Sequence, residues 1–370
     1  MLNVTCSRNA LHEAVQTVSR GVTGRSTQPV QNDVYLEASE SGLRLAATDL
    51  ELISIEADIP VALAEAGSVT APSRVLTEVA GSLPDGDVTL AADERNSLSI
   101  TCGKSHYSIQ GRSGADFQRF PAIDEGIHVS LPGSELNGII RQTAFAASRD
   151  ETRPILTGVL FEFENELMRV VATDTYRLAL RNARVPLSMD TPFSVIVAAR
   201  ALGEVQRVVG PDHSAPVDVV VGANQIEFAA GNVKIASRLI EGQFPNYKKV
   251  VPESHERRVA LSIGNLEPAL RRALIVARDD AYRVVFHFAE DMLEIRAESQ
   301  DVGRVEEQIP AEAAGTDMEI AFNARYMLEV LEAVNVDRVN VDLSGSLNPG
   351  MIRAEGNEEY LYVLMPMQIM

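Results

Sequence analysis

The sequence predicts an α+β protein in which one unit of about 125 residues is written three times. Three observations predict it: apolar residues alternate in short runs, short helical stretches recur at matched points, and four markers return in order. Leu43-Arg44-Leu45-Ala46-Ala47-Thr48-Asp49 returns 125 positions later as Met168-Arg169-Val170-Val171-Ala172-Thr173-Asp174. It returns again as Leu293-Glu294-Ile295-Arg296-Ala297-Glu298-Ser299. The pairs Arg74 with Glu78, Arg200 with Glu204 and Arg325 with Glu329 form the second marker. Ser19-Arg20, Ser148-Arg149 and Ala277-Arg278 form the third, and Phe120-Pro121 against Phe244-Pro245 the fourth. Small slippage between markers is what loops of variable length produce.

Within the first repeat, alternation predicts strands at Val34 to Leu36, Leu43 to Ala47, Leu98 to Cys102 and Tyr107 to Ile109. Two helices per repeat interrupt the strands. The first is expected after Ser7, Ser134 and Asn265, and the second after Ser73, near Arg200 and at Asn323. Ser and Asn cap helices because their side-chain oxygens accept from unpaired backbone N–H groups. Turn-rich stretches at Asp124-Glu125-Gly126 and Pro252-Glu253-Ser254 place domains at 1–126, 127–253 and 254–370.

Composition narrows the function. Hydrophobic residues at 45% and charged residues at 23% are ordinary for a packed protein and exclude wholesale disorder. No apolar run is long enough for a membrane helix, and Met1 to Arg20 lacks a basic-then-apolar leader pattern. The two cysteines, Cys6 and Cys102, have no metal or redox spacing, so a reduced, cytoplasmic setting is the simplest reading. The net charge of −19 argues at first against phosphate backbones. Its distribution argues otherwise. The helical windows hold 11 Arg against 7 Glu, leaving −23 on the rest of the chain. Arg74, Arg200 and Arg325 are equivalent positions, as are Arg20, Arg149 and Arg278, so the repeat puts them on matched faces. Three like domains in series also suggest an arc. Two such arcs closing head to tail would line a hole with about twelve helices, roughly 35 Å across at about 9 Å per helix.

Catalytic chemistry finds little footing. Asp49 and Asp174 can be read as catalytic carboxylates or as residues that hydrogen-bond their own turns, and their recurrence favours the turn. The six histidines show no H-x-x-x-H or H-E-x-x-H spacing, and no P-loop, G-x-S-x-G or dinucleotide fingerprint is present. No cofactor, metal site or enzymatic activity is expected.

The ordered motifs T-D-L-E, A-D-F-Q-R-F-P, T-R-P-I-L-T-G-V, V-A-T-D-T-Y-R-L-A, I-E-G-Q-F-P-N-Y and the terminal Y-V-L-M-P-M carry a resemblance. From residue 2 to residue 369 the chain resembles the β sliding-clamp family of bacterial DNA polymerase III. The resemblance implies three clamp-type domains, sheets outside and two helices each inside, forming half of a head-to-tail homodimeric ring around duplex DNA. It implies as partners the polymerase III α subunit, an ATP-driven clamp loader, and other polymerases and repair proteins that dock short peptides. The ATP belongs to the loader. A solenoid-like protein scaffold without DNA and a hydrolase are the competing classes.

The same resemblance carries site residues. A peptide pocket would be walled by Leu156, Thr173, Thr175, Tyr176, Arg177 and Leu178, then by Pro245, Lys249, Val250, Asn323 and Tyr326. Leu347, Pro349, Val363, Leu364, Met365, Pro366 and Met367 would complete it, with the thioethers adapting to several partners. Thr175-Tyr176 stands where some members have Gly-His, and a rim aromatic of some members finds only Ala281, beside Tyr282. Ring closure would set Tyr107 and Ile109 against Ile275 and Val276, with Arg74 at the rim near Glu298, Asp301, Glu306 and Glu307. DNA contacts are expected at Arg25, Arg149, Arg153 and Arg200, and further at Arg20, Arg74, Arg278 and Arg283.

Overall fold

The computed structural model describes residues 2–22, 29–185, 192–211, 214–289, 291–314 and 317–369. Six α-helices lie among the described residues: α1 Arg8–Val18, α2 Ser73–Ser82, α3 Gly133–Thr143, α4 Ala199–Val209, α5 Ile263–Ala277 and α6 Ala324–Ala333. Every repeat therefore contributes two. The chain falls into two compact units, one of Met1–Asn137 with Arg200–Leu239, the other of Gly138–Ala199 with Ile240–Met370.

The first unit holds a five-stranded and a nine-stranded antiparallel sheet. The smaller runs Ala62–Glu65, Leu2–Ser7, Asp87–Ala92, Ser97–Cys102 and Ser105–Gln110. The larger takes five strands from the first repeat and four from the central one, joined where Ile53–Ile59 pairs with Val233–Arg238. There Ile55 stands opposite Ile235, and Glu56 opposite Lys234. Period-two alternation sends Ile53, Ile55, Ala57 and Ile59 inward. Against them α1 buries Leu11, Ala14, Val15 and Val18, the spacing of one helical face.

The second unit repeats the plan. Its nine-stranded sheet takes four strands from the central repeat and five from the third, joined where Arg177–Arg184 pairs with Tyr360–Leu364. A four-stranded sheet runs Gly303–Pro310, Met292–Ser299, Arg283–Phe288 and Met318–Asn323. The two nine-stranded ladders cross the repeat boundaries. Compactness therefore follows the sheets and not the repeats.

Helix starts follow the expectation closely, with three corrections, the first at α2, which begins at Ser73 itself behind Pro72 and has no side-chain cap. Ser7 accepts from the Ala10 N–H at 3.2 Å, and Asn323 accepts from the N–H groups of Arg325 and Tyr326 at 3.0 and 3.2 Å. However, α3 begins at Gly133, ahead of Ser134, and α5 begins at Ile263, ahead of Asn265. The reason is tertiary. The first N–H of α1, α3 and α5 donates to the carbonyls of Gly86, Ala215 and Asp337, at 3.0, 3.0 and 2.9 Å. A distant backbone carbonyl thus takes one of the free N–H groups at each of these starts, beside the Ser7 cap in α1.

Candidate partner pocket and basic faces

The paired T-D turns set the local geometry. After strand Gly42–Thr48, Asp49 Oδ1 accepts from the N–H groups of Glu51, Leu52 and Ile53 at 3.2, 2.8 and 2.9 Å. After strand Leu167–Thr173, Asp174 Oδ1 accepts from Tyr176 and Arg177 at 2.9 and 3.0 Å. The residue after each aspartate has a positive φ, 60° at Leu50 and 82° at Thr175. These carboxylates build turns, as their recurrence foretold.

Each turn aspartate is also neutralised by an arginine. Arg200, on α4, reaches Asp49 at 2.9 Å. Arg177 is buried, pairs with Asp174 at 3.0 Å and with Glu329, and donates to the Phe145 carbonyl at 2.8 Å. Its guanidinium lies 4.2 Å from the Tyr326 ring centre, a cation–π distance. Burial opposes its charge, yet Tyr362 and Glu329 hold it more firmly protonated than an isolated guanidinium.

Beside this anchor is a cavity of about 150 Å³, predominantly apolar, lined by Thr173, Thr175, Arg177, Leu178, Pro245, Asn246, Tyr247, Val250, Val363 and Met365. Its floor is the core cluster of Leu160, Val171, Leu178, Leu180, Ile196, Tyr247 and Val363. Met365 donates its N–H to the Tyr176 carbonyl at 2.9 Å, and Met367 to Ala321 at 2.8 Å, which fixes the terminal segment along the wall. A second cavity of about 260 Å³ shares Arg177 and adds Arg149, Arg153, Tyr176, Arg325 and Tyr326.

Eight of the expected pocket residues thus line the first cavity, and Tyr176 and Tyr326 the second. Leu156 and Leu364 are buried core, Asn323 caps α6, and Lys249 is exposed. Leu347, Pro349, Pro366 and Met367 line neither cavity, and Leu347 is 79% exposed. Sequence reading missed Asn246 and Tyr247. The signal was present in the motif I-E-G-Q-F-P-N-Y, whose tyrosine donates to Glu162 and is buried. Burial, then the bond to Glu162, pushes the Tyr247 hydroxyl well above its ordinary pKa. Tyr282 lies beneath Arg325, 5.8 Å from ring centre to guanidinium, and lines neither cavity.

The basic candidates divide by partner. Arg20 pairs with Glu204 at 2.8 Å, Arg153 with Asp150 at 2.9 Å, and Arg74 with Glu78 at 3.0 Å. Arg283 pairs with Asp280 and donates to the Gln368 carbonyl, so it serves the terminal segment. Arg149 and Arg278 are exposed, and Arg25 lies outside the described residues. Tyr107 is 38% and Ile275 65% exposed, Val276 is half-buried, and Ile109 is buried. Among the described residues no group of His, Cys, Asp and Glu could hold a metal ion, and no helix is long and apolar enough to cross a membrane.

Models of the N-terminal, central and C-terminal domains of the DNA polymerase III beta subunit match residues 2–122, 130–246 and 248–368. The beta sliding clamp of Bacillus subtilis is 30% identical over 378 residues, covering 99% of this chain and 100% of that protein. That of Staphylococcus aureus is 29% identical and covers both chains fully. The solved sliding clamp of Bacillus subtilis superposes with a TM-score of 0.95 at 29% identity, over 100% of each chain. A clamp from Bartonella birtlesii bound to griselimycin gives 0.95 at 30% identity, again over 100% of each. Three domain models in order and full-length relatives at this identity place the chain in the DNA polymerase III beta-subunit family, the DNA sliding clamps, which are non-catalytic processivity factors.

Proposed function

We propose that two copies close head to tail into a ring around duplex DNA and that the 150 Å³ cavity receives short peptides from DNA-processing partners. Those partners are the polymerase III α subunit, the clamp loader, and other polymerases and repair proteins, in the cytoplasm. The observation that carries the reading is that cavity. It is apolar, open to one side, and walled by a rigid turn, a buried arginine and a docked Met-containing segment. It suits one or two aliphatic or aromatic side chains of an extended peptide. The domains would run 1–126, 127–253 and 254–370, since loops precede the strands Ile127–Pro132 and Arg257–Ser262. Tyr107 and Ile109 would face Ile275 and Val276, and Arg25, Arg149 and Arg153 would contact phosphates without reading bases.

Retention on DNA tests the ring. Once loaded, the protein should stay on a closed circular duplex and slide off a linear one, and equal retention on both would refute encirclement. Deleting Met365 to Met370 tests the pocket: a labelled clamp-binding peptide should lose binding while the sedimentation coefficient stays that of the intact protein. Undiminished peptide binding would move the site elsewhere.

A further inference from the structure

We propose that Arg278 of one copy pairs with Glu78 of a second copy, across a chain-to-chain junction built on the plan of the junctions inside the chain. The inference rests on the head-to-tail ring and gives it a register. Inside the chain, strand Ile53–Ile59 of the first repeat is met by Val233–Arg238 of the central one. Strand Arg177–Arg184 of the central repeat is met in the same way by Tyr360–Leu364 of the third. The equivalent strands left over are Gly303–Pro310, an edge of the four-stranded sheet, and Ser105–Gln110, an edge of the five-stranded one. Joining four to five restores the nine strands found in each of the other two sheets.

The repeat also fixes the alignment. Thr48 faces Ser54 in its hairpin, and the equivalent Glu298 faces Arg304. Ile55 therefore corresponds to Val305, and Ile235, the third residue of its strand, corresponds to Tyr107. Ile55 stands opposite Ile235, so Val305 would stand opposite the second copy's Tyr107, and Glu306 opposite its His106. Of the two inner templates for the latter, the first sets Glu56 opposite Lys234, acid against base, and the second sets Leu180 opposite Leu361.

The helix ends supply the pair. At the first inner junction Arg20, at the end of α1, meets Glu204 on α4 at 2.8 Å. At the second, the equivalent Glu329 is taken by Arg177 and Arg325, and Arg149 has no partner among the described residues, so the first junction is the template. By the repeat markers Arg278 corresponds to Arg20, and Glu78 to Glu204. Among the described residues Arg278 has no hydrogen bond or ion pair, and Glu78 has only the exposed Arg74 one turn earlier. Four of the nine exposed large apolar side chains among the described residues lie at these ends. Val75 and Tyr107 are exposed at the first-repeat end, Ile275 and Val302 at the third-repeat end. At the first inner junction the counterparts of Val75 and Ile275 are the fully buried Ala201 and the half-buried Thr17, and at the second the half-buried Tyr326 and the fully buried Ala146.

Charge reversal tests the pair. Each ring would contain two such junctions, so Arg278→Glu or Glu78→Arg alone should weaken dimerisation about fivefold per junction and about 25-fold per ring. The double variant Arg278→Glu with Glu78→Arg should recover most of the loss, read by sedimentation equilibrium at low salt with thermal melting to confirm folding. Additive losses in the double variant, in a protein whose wild type is a dimer, would overturn the pair. A wild type that stays monomeric throughout would overturn the ring reading itself.

Discussion

Asp49 shows how one side chain carries several duties. Its carboxylate accepts three backbone N–H bonds and binds Arg200 while almost wholly buried. Replacing it with Ala would orphan those donors, so Asp49→Ala should lower stability by about 2 kcal/mol, seen in chemical denaturation. Thr175 is the opposite case. A β-branched residue at a φ of 82° is strained, so Thr175→Gly should stabilise by about 1 kcal/mol in the same assay. Cys6 is buried, and burial followed by the nearby Asp87 pushes its thiol up to about 11. At pH 8 it should resist alkylation until the protein is unfolded, since the thiolate is the reactive form. The turn aspartates and their spacing were legible in the sequence because they recur. Arg177, three residues after Asp174, belongs to the same legible motif, whereas the pairing of Arg200 with Asp49 was not legible, since Arg200 comes from a helix of the next repeat.

At the scale of elements, helix faces and strand alternation were legible from apolar periodicity, because burial on one side imposes it. The starts of α3 and α5 were not, because carbonyls of Ala215 and Asp337, distant in sequence, complete those ends. Of the pocket, the T-D-T-Y-R turn and the terminal strand could be named from their motifs. Leu347 and Pro349 could not be settled that way, because the loop carrying them lies beyond both cavities. On α5, Ile275 presents a large apolar side chain to solvent, with Val276 half-covered beside it. Ile275→Glu with Val276→Glu should give a folded monomer by sedimentation, since two carboxylates would have to be desolvated in any apolar contact there. A dimer of unchanged affinity would place the contact on another surface.

For the whole molecule, charge is the governing quantity. An acidic body with arginines gathered on its helices should bind DNA weakly outside a topological link and lose that binding steeply with salt. Arg149 and Arg153 are the test, because both border one cavity and Arg149 has no internal partner among the described residues. Arg149→Ala with Arg153→Ala should slow loading onto nicked circular DNA and flatten the salt dependence of duplex binding, while peptide capture persists. Wild-type loading would class them as ordinary surface charge. The two nine-stranded ladders carry a different consequence, for the separability of the repeats. A fragment ending at residue 126 would strip Val233–Arg238 from Ile53–Ile59 and leave a seven-residue strand with bare amide and carbonyl groups. Such a fragment would seek a substitute strand from another copy and associate indiscriminately. Gene duplication could multiply this unit, but once the ladders had fused, no single copy could be cut out again as a self-sufficient protein.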